Sequence, residues 1–168
     1  LAKDACSVLR KAFPNMGQNE GGKGLIYQAI NKATADVAAA GTGNNAKAVQ
    51  AKISLQQAVK TAQQELQNSP DSQVQKFAKA TTALVTTLIV QANAQLQVMQ
   101  AEAKLQQNPN DAAAKQALAD AKSTEEAAKA AAEKAATAIS EGNLGQAMKA
   151  GNEALDLAKT DAVAVVAD

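Results

Sequence analysis

Apolar residues recur three or four residues apart along most of this chain, the spacing that places them on one side of a helix. The first short stripe predicts a helix over residues 2–13, and two longer stripes predict helices ending near 40 and running over 45–68. The residues of these stripes are, in order, Ala5, Val8, Leu9 and Ala12; Ile26, Ile30, Ala33, Val37 and Ala40; and Leu55, Val59, Ala62 and Leu66. Residues 14–24 and 41–44, rich in Gly, Asn and Pro, predict the loops between them.

A longer helix is predicted to follow Ser69-Pro70-Asp71, which combines a capping hydroxyl, a proline at the first helical position and a carboxylate near the positive helix end. No breaker follows until Asn108-Pro109, which allows nearly forty residues, or roughly 55 Å at about 1.5 Å per residue. Residues 84–90 are apolar around much of the circumference, so neighbours must cover several sides of this helix. We therefore expect it at the centre of a bundle, with its most buried positions around Leu84, Leu88 and Ile89.

Two more helices are predicted beyond Pro109, the first capped by Asn110 or Asp111 and extending to about residue 140. Its apolar positions are nearly all alanine, which lets a neighbouring backbone approach closely. The second covers about 143–159, and its stripe comprises Leu144, Ala147, Met148, Gly151, Leu155 and Ala158. Because the connections at 69–70 and 108–110 are short, successive helices should be antiparallel. The predicted fold class is all-α: one domain over residues 1–168, an elongated, mostly antiparallel helical bundle with long central helices.

Composition argues against an enzyme. Alanine makes up about a quarter of the chain and glutamine roughly a tenth, and both favour helices. The sequence has three aromatic residues and neither Trp nor His, so the commonest acid–base group is missing and few large side chains could wall a pocket. We therefore expect no catalytic, cofactor-binding or metal-binding residues and no cofactor.

The charges are balanced, with 17 Lys and Arg against 16 Asp and Glu and a net charge of +1. This balance predicts no nucleic-acid partner and no electrostatic attraction to an anionic membrane. No apolar run approaches the ~18 residues of a membrane span. Cys6 is the one cysteine, so no disulfide can form within this sequence, and we expect its side chain to be a small buried apolar group. Since Leu1 stands first, we expect that a preceding segment has been removed, by a signal peptidase or by choice of the expressed fragment.

Two local motifs could suggest chemistry. Residues 21–24 (GGKG) resemble part of a phosphate-binding loop, but no strand precedes them and the full spacing is absent, so an interhelical loop is favoured. Glu125, Glu126 and Glu133 could suggest a carboxylate metal site, but bundle di-iron sites add histidines. Both Glu125 and Glu126 stand at helical pair spacing from Lys129, which favours a solvated, ion-paired face.

Two family resemblances bear on function. The segments GNLGQAM (142–148) and ALDL (154–157) resemble the second helix of a tetratricopeptide repeat, although no second copy recurs. The segment DACSVLRK (4–11) resembles the first helix of African trypanosome coat proteins and of their haptoglobin–haemoglobin receptor. The segment GTGNNAKAV (41–49) resembles that receptor's Gly–Asn break, and the Ala-rich remainder is similar to the glutamic acid/alanine-rich protein of the same parasites.

The trypanosome resemblance implies a non-enzymatic, stage-specific surface coat protein that shields the parasite membrane. Its partners would be neighbouring coat molecules and the host or vector environment, with possible self-association. It would be held on the extracellular face of the plasma membrane by a C-terminal glycosylphosphatidylinositol (GPI) anchor, so we expect further sequence after Asp168. Two alternatives stay open: a secreted bacterial helical protein associated with a secretion apparatus, and a helical adaptor or interaction module. The sequence on either side of Leu1–Asp168 would separate the three.

Overall fold

The computed structural model describes residues 8–9, 11–13, 23–40, 45–68 and 72–158, and these residues form an all-α bundle. Residues 8–9 and 11–12 are helical. The described part then contains five longer helices: α1 (Lys23–Ala40), α2 (Asn45–Asn68), α3 (Ser72–Gln107), α4 (Ala112–Ser140) and α5 (Leu144–Ala158). The predicted fold class is confirmed.

The helix bounds lie close to the predicted ones, with one difference at the start of α1. The loop predicted over 14–24 should have included Gly24, but α1 begins at Lys23, so Gly24 lies in its first turn. Glycine costs a helix about 1 kcal/mol relative to alanine, a penalty that the packed remainder of α1 can offset. Cys6, the turn at 41–44 and the cap at 69–71 lie outside the described residues.

Helix α3 is the centre of the bundle. Every residue from 80 to 91 is buried, because α3 packs against α2, α4 and α5. The predicted burial of Leu84, Leu88 and Ile89 is confirmed. At 36 residues, α3 is about 54 Å long at about 1.5 Å per residue, so it extends well beyond α5.

Helices α4 and α5 pack on α3 through small side chains. The buried residues of α4 are seven alanines and one isoleucine: Ala114, Ala121, Ala128, Ala131, Ala132, Ala135, Ala138 and Ile139. In α5, a Cβ atom built on Gly151 would lie 3.1 Å from both the Cα and the carbonyl oxygen of Ala83 in α3. The absence of a side chain at Gly151 therefore permits the close approach of these two backbones.

The ends of α4 are capped by their own sequence. Of the two predicted caps, Asp111 is the one used: its carboxylate accepts a hydrogen bond from the Ala114 amide at 3.0 Å. At the other end Gly142 has φ +76°, which suits glycine, and the Asn143 amide donates to the Ala138 carbonyl at 2.8 Å. The Asn143 side chain then accepts from the Gln146 amide at 3.1 Å, which starts α5 at once. This tight turn sets α5 back against α4.

Polar side-chain contacts join each successive pair of helices. In the α3–α4 contact the two members stand at similar distances along the chain from the intervening turn, as the predicted antiparallel arrangement requires. The contacts are Ser54 with Asp36 (α1–α2), Lys52 with Asn93 at 2.9 Å (α2–α3), Gln95 with Glu125 at 3.2 Å (α3–α4) and Lys134 with Glu153 at 4.0 Å (α4–α5).

Candidate functional site

The densest polar cluster in the described part lies between α1 and α2, and we call it the Ser54 cluster (Lys32, Asp36, Gln50 and Ser54). The Ser54 hydroxyl donates a short hydrogen bond to the Asp36 carboxylate. The Lys32 ammonium lies 2.9 Å from the same carboxylate and 3.4 Å from Ser54 Oγ, and Gln50 Nε2 also donates to Ser54 Oγ at 3.4 Å. Ser54 is only 4% exposed, so the cluster closes over a buried hydroxyl.

The electrostatics of the Ser54 cluster favour a structural role over nucleophilic catalysis. The hydrogen bonds from Ser54 and from Lys32 hold the pKa of Asp36 below its ordinary value of 3.8. A carboxylate with a lowered pKa is a poor base. A serine nucleophile needs an adjacent base that is strong enough to take its proton. The cluster therefore clamps α1 to α2 and does not activate Ser54.

Buried threonines in α3 form a second group of polar side chains. The hydroxyls of Thr82, Thr86 and Thr87 donate to the carbonyls of Ala78, Thr82 and Leu84, at 2.8, 2.6 and 2.5 Å. These hydroxyls are satisfied within their own helix and are not available for a ligand. Thr81 Oγ1 and Gln91 Oε1 are buried and have no hydrogen-bond partner among the described residues.

An open groove of about 670 Å³ lies between α4 and α5. Its floor is alanine, and its walls carry mixed charges from Glu133, Lys134, Glu141, Lys149 and Glu153. Ligand pockets are usually enclosed and lined by apolar side chains with a few convergent polar groups, whereas this groove is open and most of its lining residues are charged or polar. The Lys134–Glu153 pair that crosses it is solvent-exposed, so it adds little stability. We regard the groove as a solvated surface.

The motifs singled out from the sequence do not come together as a site. Of the GGKG segment, the described residues Lys23 and Gly24 belong to helix α1. Glu125 bonds across to Gln95 of α3, where we expected a pair with Lys129 on its own helix, because Glu125 is half-buried and faces its neighbour. Within the described residues, no group of three or more His, Cys, Asp or Glu side chains could hold a metal ion. None of the described helices is both long and apolar enough to cross a membrane.

The sequence analysis did not predict that three large apolar side chains of the described residues are exposed at the surface. Val49 and Ile53, one turn apart on α2, are 45% and 50% exposed, and Leu157 near the end of α5 is 37% exposed. Val49 and Ile53 stand outside the apolar stripe of α2 that begins at Leu55. Their position outside this stripe was the one signal in the sequence that they are exposed. Outside a stripe, a large apolar residue faces away from the bundle core.

The comparisons with known proteins add no family to this picture: no family model, curated protein or solved structure shows significant similarity to this chain. The case for a function therefore rests on the residues, the geometry and the resemblance described above.

Proposed function

We propose that this protein is a non-enzymatic surface coat protein, a helical rod that shields the membrane to which its chain is anchored. The observation that carries the proposal is the contrast between the buried centre of α3, residues 80–91, and an outer surface built mainly of Gln, Lys, Glu and Ala. Among the described residues, such a bundle keeps most of the large apolar side chains away from solvent. The resemblance to trypanosome coat proteins points the same way.

A shield must resist proteolysis, and the arrangement of helices suits that task. Proteases cut segments that can leave regular structure, so exposed loops and low-stability regions are their usual targets. Helices α3 and α4, of 36 and 29 residues, are joined by residues 108–111, and α4 is joined to α5 by residues 141–143 alone. These capped, short connections offer a protease little extended chain.

An extracellular, GPI-anchored location is part of the same proposal. At 15 residues, α5 is about 22 Å long at about 1.5 Å per residue, so it ends part-way along α3. In this proposal the lipid anchor is attached on the C-terminal side of α5. The proposed partners are neighbouring copies of the coat, and we assign no nucleic acid and no cofactor to this role.

The location can be tested on intact source cells. Antibodies raised against the purified chain should stain cells without permeabilisation, and a phosphatidylinositol-specific phospholipase C should release the stained protein into the medium. A cytosolic enzyme stained in parallel should appear only after permeabilisation. If this protein, like the cytosolic enzyme, is stained only after permeabilisation, the coat proposal is contradicted.

A helical interaction module is the second candidate, because Val49 and Ile53 present adjacent apolar side chains on the outer face of α2. An adaptor of that kind would dock a partner on this face. The same staining separates the two candidates, since a cytosolic protein would favour the adaptor.

A further inference from the structure

We propose that copies of this protein associate side by side, with the C-terminal end of α5 in one copy docking on the outer face of α2 in the next. The inference rests on the proposed coat function, because a small contact acts mainly where copies are held close together. We define the α2 patch as Val49 and Ile53 with the surrounding lysines, and the α5 patch as Leu157 with Glu153 and Asp156.

The two patches contain the large apolar side chains that the described surface exposes. Val49 and Ile53 are four residues apart, so they lie together on one face of α2. Leu157 lies at the end of α5. Scattered single apolar residues on a surface are ordinary, but an adjacent pair on one flank and a third residue on another can form a complementary contact.

The charges of the two patches are opposite. Helix α2 carries three lysines, Lys47, Lys52 and Lys60, against the one acid Glu65. Helix α5 carries Glu153 and Asp156 against the one base Lys149, and both acids are exposed beside Leu157, although Glu153 shares its charge with Lys134 of α4 at 4.0 Å. A basic apolar patch and an acidic apolar patch attract each other, whereas two α2 patches would repel.

Both patches stand at the same level along the bundle. Lys52, the neighbour of Ile53, bonds to Asn93 of α3 at 2.9 Å. Ala154 packs in one cluster with Val90 of α3. Gly151 lies against Ala83 and Ala154 clusters with Val90, so α5 runs in the same direction as α3, and Leu157 comes level with about residues 89–94.

This common level fits molecules that stand upright on one membrane. Among the described helices, α2 and α5 each pack on α3 and have no extensive contact with each other, so their patches face outward on separate flanks. If a second copy stands beside the first in the same orientation on the membrane, the α5 patch of one molecule meets the α2 patch of its neighbour. Such a heterologous contact repeats into open lateral rows. With three apolar side chains at its centre, it belongs to the weak, transient class of interfaces.

Sedimentation of the purified chain tests the contact, using Ile53→Glu to reverse the α2 patch and Leu157→Lys to reverse the α5 patch. We expect the wild-type chain to self-associate at roughly 0.1–1 mM, as a weak interface implies. Each variant alone should associate at least about tenfold more weakly, because like charges then face each other. High salt should weaken the wild-type association as well. Ala119→Glu, an exposed change on α4, is the control and should behave as wild type.

Mixing the two variants gives the sharpest result. Ile53→Glu keeps its α5 patch and Leu157→Lys keeps its α2 patch, so a 1:1 mixture should restore association, both through these two unaltered patches and through the opposite charges that the two substitutions introduce. A monomeric wild-type chain would overturn the proposal. So would a Leu157→Lys variant that associates like the wild type, since that indicates α2 pairing with α2. Circular dichroism of each variant checks that the helices are intact.

The two proposals fail separately. A chain that stays monomeric in solution but is stained on intact cells would contradict the contact and leave the coat standing. A chain that associates in solution but is found only in the cytosol would contradict the coat.

Discussion

Helices α3 and α4 are both long and lie side by side, yet they contribute to the bundle in different ways. The centre of α3 buries Leu, Ile and Val side chains on several sides at once, whereas α4 buries mainly alanines along one stripe. Burying a Leu or Ile side chain stabilises a fold by about 1.5–3 kcal/mol, and alanine offers far less apolar area. The comparison teaches that α3 buries more apolar area than α4, whereas the alanines of α4 allow the two backbones to approach closely. The predictions below test that division.

The largest effect should come from truncating the centre of α3. Leu88→Ala removes a buried side chain of the main core cluster and leaves a cavity there, so it should lower the free energy of unfolding by about 2–5 kcal/mol. Leu118→Ala, at a half-buried position of α4, is the matched control and should cost less than about 1.5 kcal/mol. Urea denaturation with an unchanged m-value measures both. Equal losses would remove the distinction between the two helices.

The close packing of α5 on α3 is tested by two glycine substitutions with opposite expected signs. At Gly151 a Cβ would press on the backbone of Ala83 at 3.1 Å, and backbone atoms cannot rotate aside, so Gly151→Ala should destabilise by roughly 1–2 kcal/mol. At Gly145 the nearest atom is Asn143 Oδ1 at 3.7 Å, an ordinary contact. Gly145→Ala should therefore be neutral or stabilise by up to about 1 kcal/mol. Thermal melts compare the two, and a more stable Gly151→Ala variant would show that α5 can shift without loss.

The smallest effect concerns the Ser54 cluster at the edge of the bundle. Because the hydrogen bond from Ser54 lowers the pKa of Asp36 in the folded protein, ionised Asp36 stabilises the fold above its ordinary pKa of 3.8. That contribution to the free energy of unfolding is lost as the pH falls from 3.8 through the lowered pKa that Asp36 has in the folded protein. Asp36→Asn should thus be less stable than the wild type at pH 7, and the difference should shrink on acidification. Urea midpoints from pH 7 to about pH 2.5 measure it. A difference that is constant with pH would contradict the ionic role of Asp36.

Much of the fold was predictable because the helix ends depend on local residues. Pro109 cannot continue α3, Gly142 adopts the positive φ that ends α4, and Asp111 caps α4 through its own side chain. The centre of α3 was predictable for a related reason, since residues that are apolar around the whole circumference require neighbours on several sides.

The polar contacts between helices were not predictable, because each depends on how far one helix is shifted along another. Glu125 has a lysine four residues away in its own helix, and only the position of α3 brings Gln95 within 3.2 Å. Ser54 and Asp36 meet for the same reason. The apolar stripe of α2 left Val49 and Ile53 outside it, but the exposure of Leu157 could be assigned only once the neighbours of α5 were known.

Native-state hydrogen exchange tests the central claim most directly, that α3 is the structural centre of the bundle. Amides open locally with free energies that approach the global value only in the best-packed elements. The amides of residues 80–91 should therefore exchange most slowly in the described part of the chain, through global unfolding alone, and those of α4 should exchange faster. Slower exchange in α4 than in the centre of α3 would contradict the account.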